Sequence, residues 1–579
     1  MSLRSDSTES VSVTSAVKEQ IVEGPSSFLT GWRLYLVTAS LSLSMFIVNI
    51  EVSIVATALI SIVNDLHGFN QSGWVLTAYL VTYCAMMILW SKFSNVFGRK
   101  SSLLASTIIF TVFSGGCGAA QTMIQLIVCR ALQGVGAAGC LSIALTMVYE
   151  MVPQEKWPKW AAMMSSVSAL GSLIGPILGG VFSEDISWRW SFLINVPMGA
   201  AIAILMYISI PNYFPYHNHP EGSPGRQLFV SIKAIKTLDL VGAFLLLGAS
   251  LLLVTALLEA DVSFAWDSAA SICLFVFAGV FIAAFLYYEF YLSRSKTKTC
   301  DPVFPWEFLT NRYWMGVLLL SLFSGAPYIV TMIDIPQRLQ TIEGLSALDT
   351  GLRLIPFNLL VAFGSAIVNV IAARTKIAPI YLFAFGVVLE ITGVSLFSTM
   401  RDIHHVPHAI YGYQIITGLG IGFLFGLCVV LPPVVTDNRD YALCAGAVFQ
   451  FRIFGSALAL AISTAVVNNY AKSGLLEHFS PQAVEDLLKS TETIAHMTYE
   501  LKDDVLEVLV EAWSRRMKVL IGFTAVQVVP LAMLWRNPQI AIAEKAAGTA
   551  APNVAKAQKR DEEKALPWIN TGNLSSYAN

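Results

Sequence analysis

Apolar runs of about 20 residues, the length that crosses a bilayer core, recur along this chain from residue 34 to residue 536. Between charged or turn-forming breaks they fall at 34–60, 72–91, 102–120, 123–149, 161–183, 190–211, 238–259, 268–292, 312–334, 348–372, 378–399, 408–434, 442–468 and 516–536. Fourteen such runs in 579 residues, with 55% of the chain hydrophobic and 13% charged, cannot be hidden inside one aqueous globule, whose charged share is about 25%. Lipid is the solvent to reason with. There, each backbone polar group must be satisfied within its own segment or a closed barrel, and runs of this length do so as helices. The fold class is all-α and polytopic.

A formal net charge of −2 implies neither nucleic acid nor an anionic surface as partner, so charge placement carries the information. Basic residues in short loops stay cytoplasmic. They follow runs two (Lys92, Arg99, Lys100), four (Lys156, Lys159), eight (Arg294, Lys296, Lys298) and ten (Arg374, Lys376), while the intervening loops around 64–71, 121 and 261–267 have none. Arg338, Arg353 and Arg401 are exceptions, each near an acid in sequence (Glu343, Asp349, Asp402). An even number of spans then places both termini in the cytoplasm. The expected organisation is a disordered N-terminus over 1–33, a six-helix bundle over 34–211, a linker with two extra spans over 212–311, a second bundle over 312–536 and a disordered C-terminus over 537–579. Within the second bundle, 470–515 reads as an outer amphipathic helix, with Val484, Leu487, Leu488, Val505, Leu506 and Leu509 at helical spacing.

Asn70-Gln71-Ser72 is a glycosylation sequon on the outer side, abutting span two. Residues 1–30 lack the apolar core of a cleavable leader, so the first span acts as its own targeting signal. Of eight cysteines, Cys84, Cys117, Cys129, Cys140, Cys273, Cys428 and Cys444 lie in apolar stretches and Cys300 in a Lys-rich loop. No disulfide framework and no ligand-spaced metal cluster emerges; His404 and His405 read as loop residues.

Four segments carry more than hydropathy. Span one contains Ile50-Glu51-Val52-Ser53-Ile54-Val55; a carboxyl in a low-dielectric cavity can exchange a proton near neutral pH, which an exposed glutamate cannot. Glu390 in span eleven is the second intramembrane acid. Span four contains Arg130-Ala131-Leu132-Gln133-Gly134-Val135-Gly136, and an arginine at membrane depth faces a cavity or a partner. Span five contains Gly171-Ser172-Leu173-Ile174-Gly175-Pro176-Ile177-Leu178-Gly179-Gly180: the glycines admit a close neighbour and Pro176 removes a backbone donor and bends the helix. After span two comes Ser91-Lys92-Phe93-Ser94-Asn95-Val96-Phe97-Gly98-Arg99-Lys100.

That last loop resembles the signature loop of the major facilitator superfamily. The family has Gly at the place of Ser91 and Asp at that of Asn95; Asn95 can cap a helix end but brings no charge to the latch that closes the cytoplasmic side. Arg130 to Gly136 is similar to the family's Arg-x-x-Gln-Gly-x-Gly, and Gly171 to Gly180 resembles the Gly-x-x-x-Gly-Pro-x-x-Gly-Gly motif of drug:proton antiporters. Trp74 to Leu80, then Trp188-Arg189-Trp190 with Phe192, Asn195, Pro197 and Gly199, look like the fourteen-span antiporter subfamily. So do Pro336 to Pro356 with Gln340, Gly344, Ser346 and Gly351, and Arg452 with Gly455 in span thirteen. The texture is similar to fungal efflux pumps for drugs and secondary metabolites.

The resemblance implies two six-helix bundles about a pseudo-two-fold axis, spans seven and eight inserted between them, and a substrate site at their interface. It implies proton-coupled export of small amphipathic organic molecules, with Glu51, Arg130 and Glu390 as candidates for proton coupling. Asn95, Gly98, Arg99, Lys100, Gly171, Gly175, Pro176, Gly179 and Gly180 are candidates for conformational control. The expected partners are a small-molecule substrate, protons and the bilayer, with no cofactor; a monomer in the plasma membrane is expected, a vacuolar or other endomembrane being the alternative. Uptake, as by siderophore importers, and a transporter-like nutrient receptor are the competing functions. Nothing resembles a nucleophile–base pair, a phosphate loop or a nucleotide-binding domain, so an enzyme and an ATP-driven pump are not expected.

Overall fold

The computed structural model describes residues 28–537 and 539, except 69–70, 153–156, 213, 215–238, 260–263, 295–305, 376, 403–405, 432–440, 481–483 and 485–498. Residues 1–27, nearly all of the C-terminal segment from 537 on, the sequon Asn70, His404 with His405, and Cys300 therefore lie outside the described residues; residues 31–33, expected within a disordered N-terminus, are the first turn of a helix.

The first six long helices are α1 (Gly31–Leu66), α2 (Ser72–Phe97), α3 (Arg99–Ala119), α4 (Met123–Met151), α5 (Trp157–Val181) and α6 (Asn195–Ser209), the last entered through a short helix, Trp190–Leu193. Then come α7 (Leu240–Glu259) and α8 (Ala269–Arg294). The remaining six are α9 (Arg312–Thr341), α10 (Ile355–Arg374), α11 (Pro379–Ser398), α12 (Ala409–Val430), α13 (Tyr441–His478) and α14 (Tyr499–Val526). Among the described residues thirteen helices are long and apolar enough to cross a membrane; α5, 25 residues long, brings the set to the fourteen expected.

The packing repeats itself. In the first half α1 packs on α5, α2 on α4, α3 on α4 and on α6; in the second, α9 packs on α13, α10 on α12, α11 on α12 and on α14. Shifting each helix number by eight turns one pattern into the other. The halves meet through α1 with α9, α2 with α13, and α5 with α10. Helices α7 and α8 pair with each other, and α7 also leans on α2 and α13, held by a 2.6 Å hydrogen bond from Trp74 Nε1 to Glu259 Oε1. Only 11% of α8's apolar window is buried, which fits a helix facing lipid.

Lipid tails are as apolar as the side chains, so close van der Waals contact rather than the hydrophobic effect holds such helices together. Small residues provide it. A Cβ at Gly136 would strike the backbone of Phe110 in α3, at Gly134 the Tyr79 carbonyl of α2, and at Gly455 the Leu322 carbonyl of α9.

Helix ends at one face of the bundle carry Arg99, Lys100, Arg294, Arg312 and Arg374, whereas the other face carries Asp65, Glu184, Asp185, Glu259, Asp267 and Glu343. At the basic face, Gly98 adopts φ +91 between α2 and α3, a backbone state for which glycine is suited. It occupies the N-cap of α3 with no side-chain cap bond. Asn95 sits inside α2 and so does not fill the capping role read from the sequence; its side chain lies outside the described residues.

The stretch 470–515 also differs from expectation. Its ends are the continuation of α13 to His478 and an early start of α14 at Tyr499, and Leu475, Val505, Leu506 and Val510 on them cluster with Val484 and Ile342. Val505 and Leu506, part of the apolar spacing that suggests a surface helix, thus belong to the buried face of α14, while Leu487 and Leu488 lie outside the described residues.

A bulky residue at a close crossing should be costly, and one on the lipid face should not. Gly455→Leu is expected to destabilise the protein by about 1–3 kcal/mol through overpacking, seen as a lower melting midpoint of the purified protein. Gly279→Leu, on α8 where a Cβ would meet nothing within 4 Å, should melt with the wild type; equal midpoints for all three proteins would contradict the packing account.

Candidate transport site and its buried charges

Glu51 lies in α1 and is fully buried. Its Oε1 accepts a 2.6 Å hydrogen bond from Arg130 Nη1 and its Oε2 accepts from Asn195 Nδ2 of α6. Arg130, also fully buried, donates through Nε to the Val75 carbonyl of α2 at 3.0 Å and through Nη1 to Gln133 Oε1 at 2.7 Å. Gln133 Nε2 in turn donates to Ser114 Oγ of α3 at 2.6 Å. The guanidinium carbon lies 4.3 Å from the Tyr79 ring centroid and 5.6 Å from that of Phe192. One ion pair thus ties α1, α2, α3, α4 and α6 together. A buried charge without a partner is far more costly than a paired one, and here the pair is surrounded by the Asn195 donor, the Gln133 and Val75 acceptors and two aromatic faces.

A cavity of about 720 Å³ lies between the two halves. Its lining includes Met45, Asn49 and Val52 of α1, Tyr83 of α2, Leu141 to Tyr149 of α4, Ser168 and Ser172 of α5, Tyr328 of α9, Asn358 to Arg374 of α10, Phe425 of α12, and Arg452 and Ser456 of α13. On α4, α10, α12 and α13 the lining residues reach toward the basic face, to Tyr149 on α4 and Arg374 on α10, whereas on α2, α5 and α9 they stay near the middle of the helix. Glu51 is not among them. Asn49 and Val52 face the cavity while Glu51 points into the first bundle, so the carboxyl expected inside a cavity stands behind its wall.

The opposite end is closed by the span-five glycines. Along α5, a Cβ at Gly171 would come within 2.8 Å of the Phe46 carbonyl, and at Gly179 it would strike the Ile54 carbonyl, both in α1. Ser53 and Thr57 of α1 donate to the carbonyls of Gly171 (3.4 Å) and Pro176 (3.1 Å), the latter lying in a stretch whose ladder the proline interrupts. At Gly180 a Cβ would be 2.5 Å from the Leu348 Cα in the short helix Ala347–Arg353, and at Gly351 it would strike the Pro176 carbonyl. Gln340 Nε2 to the Thr57 carbonyl (3.1 Å) and the Leu348 backbone N–H to Glu184 Oε1 (2.8 Å) also cross between the halves. Nearby, Trp188 Nε1 donates to Asp65 at 2.9 Å, and Arg189 bridges the Gly118 and Ala120 carbonyls, which fixes the entry to α6.

At the basic face Arg99 forms a forked pair with Glu150 at the end of α4, at 2.9 and 2.5 Å, and donates to Ser94 Oγ. Lys100 donates to Asn212 at 3.0 Å. The loop's arginine therefore has a carboxylate, supplied from α4 rather than from position 95.

Glu390 is fully buried in α11, where Oε1 accepts from Gln527 Nε2 at 3.0 Å. It belongs to the second bundle and is not brought together with Glu51 and Arg130. That bundle holds a buried ion pair that sequence reasoning missed: Asp334 of α9 accepts from Arg516 of α14, which also donates to Gln337 at 3.1 Å. By the packing symmetry, α9 and α14 correspond to α1 and α6, so this pair stands where Glu51 and Asn195 stand in the first half. The sequence signal is present, since the runs 312–334 and 516–536 stop on these two residues. Hydropathy marks them as span ends, whereas both helices continue. Arg338 pairs with Glu343 at 3.1 Å, but Arg353 donates to the Tyr411 hydroxyl at 3.4 Å and Arg401 meets Glu511 at 3.8 Å instead of Asp402.

Removing one member of a buried pair should cost about 3–5 kcal/mol because the other is stranded. Asp334→Ala should therefore melt well below wild type, and Asp334→Ala combined with Arg516→Ala should recover much of the loss. A single variant as stable as wild type would show that the pair is not a structural contact.

The profile of the Major Facilitator Superfamily matches residues 41–299. The "MFS-type transporter FPY5" of Fusarium mangiferae is 38% identical over 505 residues, 87% of this chain and 84% of that protein. The "MFS-type efflux pump MFS1" of Arthroderma benhamiae is 29% identical over 451 residues, 77% of this chain and 81% of that protein. Among solved structures, a bacterial homologue of the human lysosomal transporter Spinster, inward-facing and unoccupied, superposes with a TM-score of 0.61 at 13% identity, covering 88% of this chain and 99% of that one. With its paired six-helix bundles and relatives matched nearly end to end, this chain belongs to the major facilitator superfamily and is a multi-pass membrane transporter of small molecules, not an enzyme.

Proposed function

We propose that the protein exports small amphipathic organic molecules across the plasma membrane in exchange for protons, acting as a monomer with both termini in the cytoplasm. The observation that supports the direction is how far the cavity lining extends toward the basic face, to Arg374 at that end of α10 and Tyr149 on α4, since basic loop residues mark the cytoplasmic side. Substrate then enters from the cytoplasm, while the glycines of α5 against the helix Ala347–Arg353 close the exit. A relative named as an efflux pump supports export over uptake.

The exit seal depends on backbones in direct contact, so it is either shut or open and suits a rocking motion of one bundle on the other. Helix α1 joins the seal to the buried charge: Thr57 touches Pro176 and Gln340, and Glu51, under two turns away, holds Arg130 and Asn195. Protonating Glu51 would remove the negative charge facing Arg130 and loosen the grip of α4 and α6 on α1. Coupling is thereby indirect, since substrate in the cavity touches α1 through Asn49 and Val52 and not through the carboxyl.

Glu51→Gln keeps size and hydrogen bonding but fixes the neutral form. In inside-out vesicles it should abolish uphill, proton-driven accumulation of substrate while sparing downhill exchange, and Glu51→Asp should retain part of the activity. Uphill pumping by Glu51→Gln that a protonophore still collapses would move the coupling site elsewhere, to Glu390 first.

A further inference from the structure

The cavity carries a positive charge that the protein does not neutralise. Arg452 enters it from α13 with its guanidinium carbon 4.3 Å from the Phe425 ring centroid and 4.1 Å from that of Phe449. Among the described residues that guanidinium has no carboxylate within ion-pair distance and makes no hydrogen bond, unlike Arg99, Arg130, Arg338 and Arg516, each of which is paired. The described cavity lining contains two arginines, Arg452 and Arg374 near the mouth, and no aspartate or glutamate. Facing the same space is Asn358, 3% exposed, whose amide nitrogen and oxygen both lack a partner.

An unpaired cation at membrane depth is costly, and so is a buried amide with nothing to bond. Both costs vanish if the partner arrives with the cargo. Arginine presents several donors in a planar fork suited to a carboxylate, and a ring flanked by Phe425, Phe449, Tyr328 and Tyr83 would stack beside it.

We propose that Arg452, assisted by Asn358, is the recognition site for an acidic group on the substrate, so that the cavity selects aromatic organic anions over neutral or cationic molecules of the same shape. This rests on reading the cavity as the transport site. The apolar walls hold the ring system, Arg452 binds the carboxylate, and Asn358 donates its amide to a second oxygen. Arg374 raises the local concentration of anions at the mouth.

The test uses the full-length protein purified in detergent and three probes on one scaffold: 2-naphthylacetic acid, 2-naphthylacetamide and 2-naphthylethylamine, with affinities read from ligand-induced shifts in melting. Wild type should bind the acid at least about ten-fold more tightly than the amide, and the amine most weakly. Arg452→Gln should erase the preference for the acid by weakening acid binding far more than amide binding, and Arg452→Lys should keep part of it. Equal affinity for acid and amide, failure of the acid to bind, or a preference that survives Arg452→Gln would overturn the proposal. Should Arg452→Gln melt well below wild type without ligand, Arg452→Lys and Asn358→Ala carry the test, and an undiminished acid-to-amide ratio in both would be equally fatal. Binding in detergent needs neither gradient nor direction, so a protein that prefers the acid yet exports nothing would contradict the export reading and leave this one standing.

Discussion

A carboxylate and a guanidinium buried where lipid surrounds the helices set the terms for the first bundle. Neither Glu51 nor Arg130 is tolerable there alone, and together they also draw hydrogen bonds from or to Asn195, Gln133 and the Val75 carbonyl. Those partners come from different helices, so the pair also fixes the relative placement of α1, α2, α4 and α6. The second bundle repeats the device with Asp334 and Arg516 between α9 and α14. Each half thereby has its own charged centre, an arrangement that suits the proposed rocking of one half on the other.

Between these bodies the contacts are of another kind. Where the exit is shut, backbone meets backbone: Gly180 against Leu348, Gly351 against the Pro176 carbonyl. Such contacts have no side chains to stretch, and a small rotation separates them altogether. Between the bundles also lies an apolar cavity whose polar equipment is sparse, with Asn358 lacking a partner. Strong pairing inside each half and weak, separable contact between halves are complementary features of one design. On the proposed mechanism a proton acts on the first and is felt at the second through α1, the helix that touches both.

Much of this is legible in the sequence because bilayer thickness and hydrogen-bond satisfaction leave few choices. Fourteen apolar runs locate the helices, and the glycine spacing from Gly171 to Gly180 marks the surface that packs on α1 and the short helix Ala347–Arg353. Arg130 announces a partner simply by being charged at membrane depth. What is not legible depends on knowing where helices end. Charged residues usually terminate a span, so Asp334 and Arg516 look like boundaries, whereas they are interior residues of helices that extend past the membrane, and they neutralise each other. The same extension makes the two ends of the stretch 470–515 parts of α13 and α14. Which side of α1 faces the cavity is also beyond reach, since Asn49, Glu51 and Val52 lie within a single turn and only three-dimensional packing sorts them. For Arg452 the informative fact is that no described acid lies beside it, and a one-dimensional string does not display neighbours.

On the proposed mechanism Glu51 exchanges a proton as the substrate comes and goes. Proton release on substrate binding measures this directly, with purified protein in weakly buffered solution, a pH-sensitive dye, and titration of a transported substrate. Wild type should exchange about one proton per substrate bound, linked as binding equilibria must be, and Glu51→Gln should exchange none despite retained binding. The same proton count in Glu51→Gln as in wild type would contradict that role for Glu51.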